Sequence, residues 1–181
     1  TTSTLEINDG PRAVLVTGTV AKVVIGHPAP QLMSDPGTLP FENLESVLGL
    51  AGDIGTVVLD TAHGTTSPDQ HFVLGASCLY ERHCDQSALR PASDWLAALF
   101  RESGLNYQLC SVVYNPSANQ SLYIRTGAAA DTVDADSFAM PTTLDLGDGV
   151  DVVTWSHPVR GAALRADLGP GADAVMLRQA G

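Results

Sequence analysis

The chain is poor in positive charge. It holds 9 lysine and arginine residues against 20 aspartate and glutamate residues, which gives a net charge of −11, and its single lysine is Lys22. A surface of this kind repels phosphate backbones and anionic lipid headgroups. The composition therefore argues against nucleic acid and against an anionic membrane surface as partners.

Long apolar runs are missing as well. Runs such as those at 13–16 and 23–25 have the length of strands, and none approaches the ~20 residues that span a bilayer. Hydrophobic residues nevertheless make up 44% of the 181 positions and charged residues only 16%, a composition that supports a folded core. No signal peptide is recognisable, although a mature chain would look the same. We expect a folded protein without a direct membrane span.

Only three cysteines occur, at positions 78, 84 and 110. Cys78 and Cys84 bracket a short polar stretch, and a disulfide across such a stretch is typical of an oxidising compartment. The alternative is three free thiols, with Cys110 buried. We favour the Cys78–Cys84 bridge, although the spacing alone does not determine the connectivity.

No repeat of fixed period is recognisable, so the chain is interpreted segment by segment. Residues 12–26 are rich in β-branched side chains that Gly18 interrupts, which predicts two strands with a bend. The density of proline in residues 27–40 predicts an irregular linker.

Two amphipathic helices are predicted next. Apolar residues at three- and four-residue spacing within 41–52 indicate the first. The second begins after Ser93, a good N-cap, and stops at Gly104, a good C-cap. Its buried stripe is predicted to consist of Trp95, Leu96, Leu99 and Phe100.

Short apolar runs between turn residues predict the strands. Those at 105–113 and 122–125 are expected to form a hairpin, and the small acidic stretch 127–138 is expected to be a linker. The remaining strands are predicted at 56–60, 71–74, 150–155, 162–164 and 174–177.

The middle of the chain, residues 38–126, resembles a known family. Its first half contains Leu44-Glu-Ser-Val-Leu-Gly-Leu-Ala-Gly and its second half Trp95-Leu-Ala-Ala-Leu-Phe-Arg-Glu-Ser-Gly-Leu-Asn-Tyr, closed by Ser121-Leu-Tyr-Ile-Arg. These sequence segments are similar to the N-terminal (N0 or STN) domain of secretins and TonB receptors. The resemblance implies a periplasmic docking module that binds neighbouring proteins and needs no catalytic group.

Catalytic and metal-binding patterns are weak. A zinc site could use His63, His71 and His83 with Cys84, yet none of the tight ligand spacings occurs. The stretch 145–149 lacks the ligands of a calcium loop and favours a β-turn. There is no serine nucleophile elbow and no phosphate-binding loop. We therefore predict no enzyme activity, no metal and no cofactor.

These observations together predict an α+β fold. Two helices pack on a small mixed sheet (βαββαβ-like) formed by 38–126, with a β segment and proline-rich linker at 1–37 and a β-rich segment at 127–181. The expected function is that of a periplasmic or otherwise exported adaptor in an envelope-spanning secretion, pilus or uptake assembly. Its partners are proteins, either envelope components or further copies of the chain.

Docking is expected through a sheet edge and through the helix faces. The predicted interface residues are Leu122, Tyr123, Ile124 and Arg125, together with Trp155. Trp155 could instead pack in the core, and that interpretation is favoured over an interface anchor. Two alternatives stay open: a structural protein of a virion or surface layer, and a small metal- or ligand-binding enzyme. The enzyme would gather His63, His71, His83 and Asp60 in one pocket.

Overall fold

A computed structural model describes residues 3–7, 13–26, 47–60, 62, 69, 71–81, 94–105, 111–116, 119–156 and 162–178. Within these residues lie fourteen strands and one helix. The strands are β1 (Thr4–Ile7), β2 (Ala13–Val16), β3 (Val20–Gly26), β4 (Val47–Leu50), β5 (Ile54–Asp60), β6 (His71–Leu74), β7 (Cys78–Glu81), β8 (Ser111–Tyr114), β9 (Asn119–Arg125), β10 (Thr132–Ala135), β11 (Thr142–Asp145), β12 (Val152–Trp155), β13 (Leu164–Asp167) and β14 (Ala174–Leu177), and the helix is α1 (Asp94–Glu102).

The strands form two sheets in which most neighbours are parallel. Sheet A has the order β1-β3-β5-β9-β11-β13, and sheet B has the order β14-β12-β10-β6-β7-β8-β4-β2. Because the chain passes from one sheet to the other after nearly every strand, it winds as a coil that adds one strand to each sheet per turn. The architecture is a two-sided parallel β-solenoid, and the predicted α+β fold of two helices on a mixed sheet is wrong. Both sheets contain strands from each of the three predicted segments.

The core lies between the two sheets. Along each strand, alternate side chains point inward, as in β6, where Phe72 and Leu74 are buried, and in β10, where Val133 and Ala135 are buried. The parallel register places inward residues of successive coils beside one another, for example Phe72 beside Val133 and Val133 beside Val153. A slip of one residue would turn these side chains to solvent, so the apolar alternation holds the register.

The coils form a structural repeat whose period is not fixed. Leu122, Thr142 and Leu164 are in register in three successive strands of sheet A, 20 and 22 residues apart. The repeat is hard to recognise in the sequence because its spacing varies and few identities recur. Among them are Val133, Val153 and Val175 in sheet B, and glycine and aspartate in the corners between β9 and β10, β11 and β12, and β13 and β14.

Several local predictions are wrong for the same reason. Parallel pairing with strands distant in the sequence determines the structure of these segments, and their local residue pattern does not. Residues 47–50 of the predicted first helix form β4 between β2 and β8, and residues 41–46 lie outside the described part of the chain. The predicted hairpin of 105–113 and 122–125 does not form, since β8 belongs to sheet B and β9 to sheet A. The predicted linker 127–138 contains β10. A short apolar run suits a buried parallel strand as well as a helix.

Other strand predictions are confirmed. The segments 56–60 and 71–74 correspond to β5 and β6, and those at 150–155 and 174–177 correspond to β12 and β14. The strand predicted at 162–164 shares only Leu164 with β13. The two strands predicted around Gly18 are β2 and β3, which lie in different sheets. Among the described residues, no helix has the length and hydropathy needed to cross a bilayer.

The second predicted helix is confirmed as α1. It ends in a Schellman motif, in which Gly104 has a φ of 76° and the N–H of Leu105 donates to the carbonyl of Phe100 at 3.0 Å. The fully buried Phe100 packs with Leu105 and Val113 on the outer face of sheet B. A Cβ atom at Gly49 would overlap the Phe100 ring, so this position in β4 requires glycine. Leu99, predicted to be buried, is 40% exposed, while Ser93 and the side chains of Trp95 and Leu96 lie outside the described part.

Candidate docking interface

In the described part of the chain, each sheet has an open edge at its last strand. β13 is the outermost strand of sheet A and β14 the outermost strand of sheet B, and no described residue pairs with their outer sides. The N–H groups of Ala174 and Arg178 donate to the carbonyls of Asp151, which precedes β12, and of Trp155, which ends it. Because alternate residues of a parallel strand bond to opposite neighbours, the backbone groups of Val175 and Leu177 face the open side. Such an edge can accept a further strand.

The inward side chains of this last coil are uncovered. Val175 is in register with the buried Val153, and Leu177 is in register with Trp155. Val175 is 54% exposed and Leu177 is 72% exposed, whereas Val153 is 1% exposed. Full burial of a valine or leucine side chain contributes about 1.5–3 kcal/mol. Removing these two residues from water is therefore a substantial driving force for covering the end of the solenoid. We call this surface, formed by β13 and β14, the C-terminal face.

The corner leading to this face is built for close stacking. Gly147 and Gly169 have φ values of 78° and 68°, and a Cβ atom at either would overlap the carbonyl group of the corner one coil earlier. The same overlap would occur at Gly149 and Gly171. Only glycine combines the left-handed conformation with so close an approach of two backbones. These corners stack backbone on backbone, and the Gly169 corner is the last of the stack.

An aspartate ladder accompanies the glycine stack. The N–H of Asp131 donates to the Asp151 carboxylate at 2.8 Å, and the N–H of Asp151 donates to the Asp173 carboxylate at 3.0 Å. Asp151 is fully buried, and its Oδ2 atom has no hydrogen-bond partner among the described residues. Burial raises the pKa of the Asp151 carboxyl, the N–H of Asp131 lowers it, and the charge of Asp173 raises it, so that its pKa lies above the ordinary value.

The ladder stops at Asp173 in the described chain. In each earlier step, a backbone N–H donates to the aspartate of the next coil. For the N–H of Asp173, the described residues supply no such acceptor. A further coil that carries an aspartate at this position would continue the ladder.

The opposite end also has two outermost strands, β1 and β2. In β1, Leu5 and Ile7 are half-buried and pack against the core, while Thr4 and Glu6 are exposed. The N–H of Lys22 donates to the carbonyl of Ser3. Backbone groups of Thr4 and Glu6 therefore face away from β3, toward the outside of the stack. β2 consists of four apolar residues, Ala-Val-Leu-Val. We call this surface, formed by β1 and β2, the N-terminal face.

The predicted interface residues of β9 do not lie at a free edge. β9 is paired on both sides, with β5 and with β11, because the coils continue beyond it. Leu122 and Ile124 are buried between the sheets, whereas Tyr123 and Arg125 point outward. The expected sheet edge is thus at β13 and β14, while a role of Tyr123 or Arg125 in docking stays a prediction.

Trp155 lies against the core cluster, and its ring centroid is 6.2 Å from that of Phe138. Its Nε1 atom is buried without a hydrogen-bond partner among the described residues. Since Trp155 is in register with Leu177, it lies directly beneath the C-terminal face. Trp155 is therefore a support for that face and not a free anchor.

Polar side chains on the outer faces form two small groups. On sheet A, the Tyr123 hydroxyl donates to Asp145 at 2.8 Å, and Arg125 lies 3.8 Å from the same carboxylate. The hydrogen bond to Asp145 is the main cause that raises the pKa of Tyr123. On sheet B, Nε2 of His71 lies 2.8 Å from Asp134. These contacts link adjacent strands and stabilise the pairing.

The residues proposed for metal binding or catalysis are not gathered. Asp60 ends β5 in sheet A and accepts a hydrogen bond from the N–H of Ala62 at 3.1 Å, whereas His71 begins β6 in sheet B. His63, His83 and Cys84 lie outside the described residues. Within the described part of the chain, no group of three or more histidine, cysteine or acidic residues is placed to hold a metal ion. The 145–149 stretch lies in a corner between strands, with Gly147 in the left-handed conformation.

Cys78 carries a free, half-buried thiol in the structure. Burial raises its pKa, which makes the reactive thiolate scarcer. Its predicted disulfide partner Cys84 and the third cysteine, Cys110, lie outside the described residues. The Cys78–Cys84 bridge therefore stays a prediction.

Comparison with family models, with curated proteins and with solved structures finds no match in any of the three. The function is therefore inferred from the geometry and chemistry of the described residues. The C-terminal face cannot be recognised from the sequence alone, because Val175 and Leu177 look like ordinary strand residues. The signal that could have revealed it is the recurrence of Gly-x-Gly-x-Asp at 147–151 and 169–173, which marks stacked corners.

Proposed function

We propose that the protein is a non-catalytic structural component of a larger assembly and acts by protein–protein docking through the C-terminal face of its solenoid. The observation that supports this is the exposure of the inward-facing Val175 and Leu177 at an open sheet edge. A partner strand laid along that edge gains main-chain hydrogen bonds and buries apolar side chains in one step. This retains the docking role expected from the sequence and relocates its surface.

The surroundings of the face suit a protein partner. Arg165 and Asp167 of β13 are exposed, as is Arg178 after β14, so charges of both signs border the apolar centre. An apolar centre with a polar rim is the usual composition of protein interfaces. The predicted compartment, the periplasm or another exported location, stays a prediction, because its cysteine argument rests partly on residues outside the described part.

Site-specific photo-cross-linking tests the proposal. A benzoylphenylalanine at position 177 lies in the face, and the same residue at position 99 provides a matched control, because Leu99 is also an exposed apolar side chain but belongs to α1. We expect cross-linked products from position 177 in an extract of the source cells, with the attached chain identified by mass spectrometry, and none from position 99. Absence of a product at 177, or equal products at both positions, would contradict the proposal.

A further inference from the structure

The stacked corners of the regular coils gather oxygen atoms around a buried carboxylate. We propose that a calcium ion binds between the corner at 127–131 and the corner at 147–151. Its protein ligands are the carboxylates of Asp131 and Asp151 and the carbonyl oxygen of Ala129. The site lies inside the stack, so it does not depend on which surface covers β13 and β14, and it is independent of the docking function proposed above.

The first observation is the buried carboxylate itself. Asp151 is fully buried, and its Oδ1 atom accepts the N–H of Asp131 at 2.8 Å. The Oδ2 atom of the same carboxylate has no hydrogen-bond partner in the described structure. None of the ion pairs between described residues involves Asp151. A carboxylate removed from water needs a positive partner or takes up a proton. One oxygen is thus held in place by the backbone, and the other is left for a ligand.

The second observation is the convergence of oxygens from two coils at one glycine. A Cβ atom at Gly149 would overlap the carbonyl oxygen of Ala129 and would lie 3.0 Å from Oδ1 of Asp151. Among the described backbone groups, no N–H donates to the Ala129 carbonyl. The arrangement recurs one coil later, where a Cβ atom at Gly171 would overlap the Gly149 carbonyl and lie 2.6 Å from Oδ1 of Asp173. The missing side chain leaves room for oxygen ligands of two coils to surround a cation.

The spacing of the coils fits calcium. Thr132 is in register with Val152, so the preceding residues, Asp131 and Asp151, lie one coil apart, at the strand spacing of about 4.8 Å. Calcium binds oxygen at about 2.3–2.6 Å, so two ligands on opposite sides of the ion are about 4.6–5.2 Å apart. Magnesium binds oxygen at about 2.0–2.1 Å and would require a separation of about 4.1 Å. The stack therefore favours calcium over magnesium.

The chemistry of the corner agrees with this choice. Carboxylates, backbone carbonyls and water are the ligands that calcium takes, about six to eight oxygens in all. Asp148 and Val150 are exposed, so water has access to the corner and can complete the shell. A net charge of −11 favours the uptake of a divalent cation. Because the ligands come from two coils, the sequence of the single stretch 145–149 does not show the pattern of a calcium loop.

Isothermal titration calorimetry with wild-type protein freed of metal by a chelator tests the site. We expect calcium to bind with a dissociation constant of roughly 10⁻⁵ to 10⁻³ M, and magnesium at least about tenfold more weakly. The unfolding temperature should rise with calcium concentration, because the ion binds only the folded stack. No heat of binding and no rise of the unfolding temperature at about 10 mM calcium would overturn the proposal. Equal affinity for magnesium would overturn the fit between coil spacing and ion.

Two matched variants locate the ion. Asp151→Asn keeps an acceptor for the N–H of Asp131 and removes the buried charge, and it should weaken calcium binding by at least about tenfold. Asp148→Asn makes the same charge change at an exposed position of the same corner and should alter the affinity by less than about twofold. Equal losses in both variants would show a general attraction of calcium to the acidic surface and would overturn the site.

Urea denaturation separates binding from folding. In EDTA, Asp151→Asn should be at least as stable as wild type, because the buried charge is gone. In calcium, wild type should be the more stable of the two, because the ion binds it more tightly. A variant that is less stable than wild type to the same extent in EDTA and in calcium would give Asp151 a purely structural role and would overturn the site. Cross-linking at position 177 probes β14 and not these corners, so the two proposals fail separately.

Discussion

The solenoid is held together differently in its two halves. From β9 to β14 the coils are short, and their corners stack glycine on glycine with an aspartate ladder beside them. Between β5 and β9 one coil is enlarged, because it adds β6, β7 and β8 to sheet B and carries α1 on the outside. The regular half therefore depends on backbone fit, and the enlarged half depends on side-chain packing. Substitutions that target one mechanism should leave the other half largely intact.

The largest effect is expected from adding a Cβ atom to a stacked corner. Gly147→Ala meets a positive φ and the carbonyl of Gly127, and we expect a loss of about 4 kcal/mol in the free energy of unfolding. Gly104→Ala is the matched control, since its φ is 76° and no heavy atom lies within 4 Å of the added Cβ. It should lose only about 1 kcal/mol. Urea denaturation of both variants measures the contrast, and equal losses would show that stacking adds nothing to the strain of the left-handed conformation.

The next largest effect concerns the enlarged coil. Phe100→Ala empties the small core between α1 and sheet B, and we expect a loss of about 3 kcal/mol. Leu99→Ala, one residue earlier and 40% exposed, should change stability by less than about 0.5 kcal/mol. In the Phe100→Ala variant, amide hydrogen exchange should become faster in α1, β4 and β8. The exchange rates in β11 to β14 should stay unchanged. An equal increase of the exchange rates in β11 to β14 would contradict the separation of the two halves.

The smallest effect is a pH dependence of the aspartate ladder. The folded-state pKa of Asp151 lies above its ordinary value of 3.8, so its contribution to stability is fully present below that value and is lost as the pH rises through the folded-state pKa. Asp151→Asn keeps an oxygen acceptor for the N–H of Asp131 and removes the buried charge.

We therefore expect Asp151→Asn to gain stability relative to wild type as the pH rises from 4 to 7, by roughly 1 kcal/mol, the usual size of a single substitution effect. Asp148→Asn, an exposed neighbour in the same corner, is the control and should show no such trend. Urea titrations of the three proteins at both pH values provide the measurement. A gain that shrinks with pH would contradict the raised pKa of Asp151.

The strands of the regular half could be predicted from the sequence, whereas their arrangement could not. Residues 150–155 and 174–177 have the β-branched composition and the turn residues that predict strands, and both form them. Their parallel pairing depends on partners about twenty residues away, and no local pattern expresses it. The helix α1 could be predicted because its apolar stripe and its Gly104 cap are formed by residues that are close together in the sequence.

The outermost strands could not be predicted from the sequence. The expected docking edge was assigned to Leu122–Arg125, since a short domain would end there. In the solenoid the same residues form the middle of sheet A. Which strand is outermost follows only from counting coils, and Val175 and Leu177 become an exposed surface only because of that position.

Residue-resolved amide exchange by NMR tests the central claim, an open sheet edge at β14, most directly. In dilute solution the N–H groups of Val175 and Leu177 should exchange fast, while that of Val153, one coil earlier, is protected. Protection of Val175 equal to that of Val153 in dilute solution would contradict the account, because it would mean that the outer side of β14 is already paired.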